Sequence, residues 1–417
     1  MTPVGVRLTW VISGILGDPA KRRWWAAAGV CLVVAAVLPF VWDHTGADLK
    51  VYRLGGAAML SDPESLYTAR LRYIAMPFTY PVFGGVVMAP VSLLPWGLAY
   101  GASIAASLVA LVAILRMSLT KLLEDRLHPA VLIAVTAASL LIEPVRETLS
   151  YGQINLILCA LILYDVLGPK NRMGRGVWLG LAAGIKLTPL VFFGLLLVTR
   201  QWKALAHASA AFAGTVLIGF LITPRTAYEY WTHLISDTSR IGGLAYSGNQ
   251  SWNGFLARLN GDPDGGGHVW QAVVLVTVLA GLWLSRDLWC RGEQLAAVST
   301  TALIGLMCSP VSWSHHWVWV IPLGASLLTA TQLGRRYPLP TALTWAALFM
   351  IAPIWWPPGG NNQEFGWNFF QVVAGNSYLW LSVAAALLLA FTAPKARTRR
   401  SSRSPWSRRP AGSARRA

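Results

Sequence analysis

Charge is what this sequence has little of: only 12% of its 417 residues are Asp, Glu, Lys or Arg, and 55% are hydrophobic. Soluble domains carry roughly twice that charged fraction, ~25%. With a mean hydropathy of +0.51 and 21 tryptophans, the apolar groups exceed what one water-facing core can hide. The shortage excludes an ordinary soluble globule and describes an integral membrane protein. Cysteine is scarce as well. Cys31, Cys159, Cys290 and Cys308 stand singly inside apolar runs without CxxC spacing, which argues against a disulfide framework or a zinc site. Also missing are a phosphate-cradling glycine loop, an HExxH pair, a serine-nucleophile elbow and a Rossmann fingerprint, so a soluble nucleotide-sugar site has no support. Acids number 17 against 34 bases. The resulting +17 resembles a nucleic-acid signature, yet nine bases crowd into Lys395–Ala417, which has no acid. Without them about +8 remains, spread over short loops. That distribution fits topology signals and contact with membrane lipids, and no nucleic-acid partner is expected.

What the chain does have is a series of long apolar runs. The first, Trp24 to Trp42 behind Arg22 and Arg23, is long enough to cross a bilayer and too long for a signal-peptide core. Others are Val82 to Met117, Pro129 to Ile142, Ile154 to Leu167, Gly176 to Val198, Ala204 to Ile222, Val269 to Leu284, Leu295 to Cys308, Trp317 to Leu333, Leu339 to Trp356 and Tyr378 to Ala393. They predict an all-α polytopic membrane protein of about 10–12 transmembrane helices. Residues 1–23 read as a cytoplasmic N-terminal segment, 24–393 as a single transmembrane domain and 394–417 as a basic, disordered cytoplasmic tail. Loops carrying Arg116 to Arg126, Lys170 to Arg175, Arg200 with Lys203, Arg286 with Arg291, and Arg335 with Arg336 are expected in the cytoplasm. The loops left for the outside are 43–80, 143–153, 223–268, 309–316 and 357–377, and both termini fall inside. Gly176 to Val198 has basic flanks at both ends, so it should turn back at its helix breakers around Lys186, Thr188 and Pro189. It does so either as two passes or as a re-entrant pair.

Polar groups that a membrane protein keeps despite their desolvation penalty point to function. On the outer side, Asp48 is followed at helical spacing by Val51, Tyr52 and Gly55, which predicts an interfacial helix with a carboxylate turned toward a cavity. The plainer reading of Asp48 is a helix N-cap. His315 and His316, in Ser-Pro-Val-Ser-Trp-Ser-His-His-Trp, point in different directions on a helix and make a poor metal pair. One of them is a candidate donor to a phosphate, and an interfacial Trp/His belt is the alternative. The loop 223–268 interleaves aromatics with amides and arginines, among them Asn249, Gln250, Trp252, Asn253 and Arg258, a set suited to sugar and phosphate. Lys186 needs a partner in hydrocarbon. A lipid phosphate serves, as does a structural pair with Glu143 or Glu147.

Asp48, Leu49, Lys50, Val51, Tyr52; Tyr80, Pro81; Tyr151, Gly152, Gln153, Asn155; Lys186, Thr188, Pro189; Gly248, Asn249, Gln250, Ser251; and Ser309, Pro310 with Ser312, His315 and His316 together resemble the glycosyltransferase family 87 mannosyltransferases of actinobacteria. The resemblance runs in order along most of the chain, although no single motif is strongly specific. It implies a GT-C membrane fold and transfer of mannose from a polyprenyl-phosphate-mannose donor to a mannosylated glycolipid acceptor on the periplasmic face of the plasma membrane. The acceptor class it implies is a phosphatidylinositol mannoside, lipomannan or lipoarabinomannan, with an α-1,2 linkage and inversion at C1. Asp48 is then the candidate base, with Asp43 behind it. Lys186, His315, His316, Arg146 and Arg258 are candidates for the donor phosphate; Tyr52, Asn249, Gln250, Trp252 and Asn253 are candidates for sugar. No metal or cofactor is demanded. A transporter or flippase of a lipid-linked sugar is the alternative, and the sequence leaves the oligomeric state open.

Overall fold

A computed structural model describes residues 46–71, 76–123, 129–168 and 174–393. Residues 1–23, the first apolar run, Asp43 and the tail 394–417 lie outside the described residues. In lipid each backbone polar group must be satisfied within the protein, which leaves helices as the solution for a chain of apolar runs. They are α1 (Ala47–Ser61), α2 (Val82–Ser92), α3 (Trp96–Leu123), α4 (Pro129–Ser139), α5 (Glu143–Tyr151), α6 (Asn155–Leu167), α7 (Val177–Ile185), α8 (Val191–Val198) and α9 (Trp202–Ile222). The second half continues with α10 (Pro224–Glu229), α11 (Trp252–Asn260), α12 (Gly267–Cys290), α13 (Gln294–Cys308), α14 (Val320–Ala330), α15 (Gln332–Arg336), α16 (Pro338–Ile351), α17 (Phe369–Gly375) and α18 (Ser377–Thr392). An isolated antiparallel bridge pairs Asn249 with Trp313.

The fold is all-α and polytopic. By length and composition four helices can cross a membrane: Trp96–Thr120, Trp202–Ile222, Gly267–Cys290 and Pro338–Trp355. Two sharply bent pairs, α5 with α6 at 116° and α17 with α18 at 68°, raise the number to six if each is one span. Several expected runs are shorter helices. α4, α13 and α14 have 11, 15 and 11 residues, below the ~20 of a full crossing. α14 is preceded by a 3-10 stretch in which Trp317 leaves helical geometry (ψ 20°), and Thr331 ends it in an extended conformation. The proline-rich run Val82 to Met117 divides at Leu93–Pro95 into short α2 and long α3.

The run Gly176 to Val198 does turn back. Gly176 faces the backbone of Ala204, Gly180 faces Ala208 and Gly184 faces Thr215, so α7 rises parallel to α9. Lys186 then breaks the helix with an extended backbone (φ −145°, ψ 133°), and Pro189 opens a 3-10 turn into α8. A tight turn closed by Gln201 N–H on the Leu196 carbonyl at 2.8 Å delivers the chain to the start of α9. Both ends of the segment therefore lie at one level, beside Arg175, Arg200 and Lys203. α7 has nine residues, ~14 Å of rise against a hydrocarbon core of ~30 Å. Neither arm is long enough to cross by itself, which favours a re-entrant pair over two passes, and the turn carries Lys186 more than halfway along α9 toward the opposite end. Close packing requires the three glycines: a methyl on Gly184 would lie 2.6 Å from Thr215 Cβ, and small residues of this kind let helix backbones approach.

Candidate active site

At the end of the bundle reached by the hairpin tip, α1 begins after Gly46, which takes a left-handed conformation (φ 54°) and gives no side-chain cap. Asp48 is not the cap. It sits in the first helical turn, where the N-terminal dipole favours a carboxylate. Burial of Leu49, Val51, Tyr52, Gly55 and Gly56 fixes the roll of α1. Opposite it, α5 ends on Gly152 in the left-handed region (φ 67°). A Cβ there would strike Leu49 at 2.7 Å, so glycine both ends the helix and lets the next residues, Gln153 to Asn155, pass close beneath α1.

These elements enclose a cavity of about 250 Å³ whose walls include Asp48, Tyr80, Gln153, Lys186, Arg240 and His316. Lys186, 6% exposed, donates from Nζ to Asn155 Oδ1 at 2.8 Å. It lies 3.2 Å from His316 Nε2 and 5.4 Å from the centroid of the Tyr80 ring. Burial raises the Asp48 carboxyl above its ordinary range, opposed by the positive charge of Lys186 and a hydrogen bond from Gln153. A carboxylate made more basic in this way is suited to take a proton near neutrality. Burial first, then the charge of Lys186, holds His316 well below the usual histidine range. The neutral ring is thereby favoured, and a neutral imidazole unprotonated at Nε2 can accept from the ammonium.

The other sequence candidates separate by place. His315 is buried and does not line the cavity; its ring meets Tyr151 edge-on at 5.1 Å, and its carbonyl accepts from Thr148 and Asn155, each at 2.8 Å. Tyr52 stands one layer behind Asp48 and donates to Gln153 Oε1 at 2.6 Å. Arg146 lies outside the cavity, 3.5 Å from Glu147. Arg258 is buried and spends its donors on the carbonyls of Ala245, Tyr246 and Asn249 and on Asn376. Asn249 ties Leu244 and Pro310 to Ser312. Gln250 ties Ser247 to Gly375, Asn253 accepts from Gly266 N–H, and Trp252 donates to Thr277. None of these five lines the Asp48 cavity, although Asn249 bonds to Pro310 and pairs with Trp313, which do. Neither carboxylate weighed as a structural partner for Lys186 fills that role. Glu143 accepts from Trp355 Nε1 at 2.9 Å and Tyr378 OH at 2.8 Å, while Glu147 is beside Arg146.

Gln153 and Tyr80 line the cavity without an assigned role in the sequence, whereas Arg240 is one of the arginines of the 223–268 loop read there as suited to phosphate. Arg240 donates to the Phe78 carbonyl at 2.8 Å and lies 5.3 Å over the Tyr67 ring. The signal available was the run Tyr151, Gly152, Gln153, Asn155, whose glycine forces the turn. Among the described residues no group of three or more His, Cys, Asp or Glu converges to hold a metal ion.

One wall thus offers a base, and the facing wall an ammonium and an imidazole. The sequence profile of glycosyltransferase family 87 matches residues 78–310. The chain belongs to glycosyltransferase family 87. It is 33% identical over 388 residues, 88% of this chain and 90% of the relative, to the polyprenol-phosphate-mannose-dependent alpha-(1-2)-phosphatidylinositol mannoside mannosyltransferase of Mycobacterium tuberculosis. The corresponding pentamannoside mannosyltransferase of Mycolicibacterium smegmatis is 33% identical, over 90% of this chain and 93% of that protein. More distant is an alpha-(1->3)-arabinofuranosyltransferase of Mycobacterium tuberculosis, 24% identical over 74% of this chain and 73% of that protein. No solved structure matches this family 87 chain.

Proposed function

We propose that this family 87 chain is an integral-membrane mannosyltransferase that moves mannose from polyprenyl-phosphate-mannose to a mannosylated glycolipid, forming an α-1,2 linkage with inversion. The names of the relatives support the donor and the class of acceptor. The observation that carries the reading to this chain is the placement of Asp48 across one cavity from Lys186 and His316. Asp48 takes the proton of the acceptor hydroxyl. That oxygen forms a bond to C1 of mannose on the face opposite the phosphate, and the C1–O bond breaks with its electron pair going to the phosphate. Lys186 stabilises the growing charge of the leaving group. Both walls belong to the end of the bundle opposite the arginine-bearing turns, which supports a periplasmic site in a plasma-membrane protein with cytoplasmic termini.

The test follows radiolabelled mannose from polyprenyl-phosphate-mannose to a mannosylated phosphatidylinositol in detergent. Wild type transfers label, and Asp48→Asn, folded and still binding donor, loses about 10²-fold or more. Full activity in Asp48→Asn removes Asp48 as the base. A wild type that binds donor and carries it across vesicles, without transfer to any mannosylated lipid, is a flippase.

A further inference from the structure

Two uncharged amides, two residues apart, stand behind the charged groups of the cavity. Their orientation follows from counting donors. Gln153 Oε1 has no hydrogen, so Tyr52 OH donates to it at 2.6 Å. Tyr52 then has only a lone pair for Tyr80 OH, 3.1 Å away, so Tyr80 donates there and accepts from Gln153 Nε2 at 3.3 Å. The ring closes: Tyr52 to Gln153, Gln153 to Tyr80, Tyr80 to Tyr52. One N–H of Gln153 is left over in the cavity that Asp48 also lines, and the amide lowers the Asp48 pKa, as a donor to its carboxylate does. Reversing the amide would turn its oxygen on that carboxylate and break two further bonds. Asn155 is fixed by the same logic. The His315 carbonyl can only accept, so Asn155 Nδ2 donates to it at 2.8 Å, and Oδ1 is left to receive Lys186 Nζ at 2.8 Å.

We infer that Gln153 and Asn155 are a pair of positioning residues: Gln153 aims the Asp48 carboxylate at the acceptor hydroxyl, and Asn155 aims the Lys186 ammonium at the donor phosphate. The inference rests on the function proposed above. Both amides hang from the single turn made by Gly152, so the distance between base and cation is set by a segment two residues long. This explains why two tyrosines are committed to one buried amide of the cavity wall. Gln153 is 2% exposed and Asn155 7%. Around the Asp48 carboxylate the other ionisable groups are Lys186, His316, Tyr52 on α1 itself, Tyr80, Tyr151, Tyr230, Asp237 and Arg240.

The experiment uses the full-length protein and four variants, Gln153→Glu, Gln153→Ala, Asn155→Asp and Asn155→Ala, with kcat, both KM values, pH profiles and donor binding measured on each. Gln153→Glu keeps the shape but sets a second carboxylate against Asp48. The acid limb of kcat/KM is expected to move upward by about one pH unit or more, with the donor KM little changed. Asn155→Asp gives Lys186 a competing anion, so donor KM and Kd rise about tenfold or more while the limb stays in place. Each alanine variant lowers kcat in its folded fraction. A purely structural role lowers melting temperature and yield and leaves both signatures at wild type; that result overturns the inference, as does a Gln153→Glu profile that superimposes on wild type. Donor binding keeps the two readings apart. Should wild type transfer mannose to nothing, the proposed function falls, and an Asn155→Asp affinity equal to wild type would still sink the Asn155 assignment by itself.

Discussion

Asp48 acts as a base only when ionised, and its surroundings pull two ways: burial raises its pKa, while Lys186 and the Gln153 amide lower it. Burial wins. Protonation removes the base, so activity falls as pH drops through this pKa, and the acid limb is expected above the ~4 of an exposed carboxylate. Lys186→Met deletes the largest opposing influence. The limb then moves to still higher pH, and donor KM rises about tenfold or more because the phosphate has lost its ammonium. A pH profile of kcat/KM for both proteins checks the two effects; a limb moving downward in Lys186→Met would show that the two groups do not face each other. At this scale the charged members of the site were legible. An acid just beyond an apolar run and a lysine inside one are exceptions that demand a reason. Gln153 and Tyr80 were not, because a neutral amide and a phenol acquire their role only when segments 28 to 101 residues apart meet. Arg258, Asn249 and Gln250 show the converse. An amide or arginine that folds a loop has the same appearance in sequence as one that binds a sugar, and only the carbonyls around it distinguish the two.

The decisive element is the re-entrant hairpin. Basic residues on both flanks and a Lys-Leu-Thr-Pro centre announced a turn, and the turn is there. What the pattern did not reveal is that α7 is held against α9 through Gly176, Gly180 and Gly184, one per helical turn. A Cβ at Gly180 would meet Ala211 Cβ at 2.7 Å and the Ala208 carbonyl at 2.3 Å, with no flexible side-chain end to yield. Gly180→Leu is expected to lower stability by about 1–3 kcal/mol through overpacking. By tilting α7 it also withdraws Lys186 from the cavity. The readouts are melting temperature and donor affinity: both fall if the hairpin positions the lysine, whereas a drop in melting temperature alone would separate the hairpin's packing from its part in the site. Short helices escaped the hydropathy pattern for a related reason. Their ends are set by the extended backbone at Thr331 and by the non-helical turn at Trp317, and tertiary packing decides such points within runs that look uniformly apolar.

Over the whole molecule, the charge rule and the fold lead to a common arrangement. Asp48, the 309–316 turn and the knot of long loops occupy one end, and Arg175, Arg200 and Arg291 occupy the other. Arg291 reaches the Ala393 carbonyl at the close of α18, which places the last described helix end with the basic turns. Positive residues are retained on the cytoplasmic side, so the orientation we propose has the cavity opening outside, where a polyprenyl-linked sugar rather than a soluble nucleotide sugar is the suitable donor. Orientation is then measurable without any assay of transfer. With the native cysteines replaced by serine, Asp264→Cys in the exposed loop before α12 and Arg336→Cys at the exposed end of α15 are compared in intact cells. A membrane-impermeant maleimide labels Asp264→Cys directly and Arg336→Cys only after permeabilisation. The reverse pattern would put the cavity in the cytoplasm, facing the compartment of nucleotide sugars, and a lipid-linked donor would lose its topological rationale. Asp48, Lys186 and His316 would remain together even so, because their meeting depends on helix packing and not on which side of the membrane faces out.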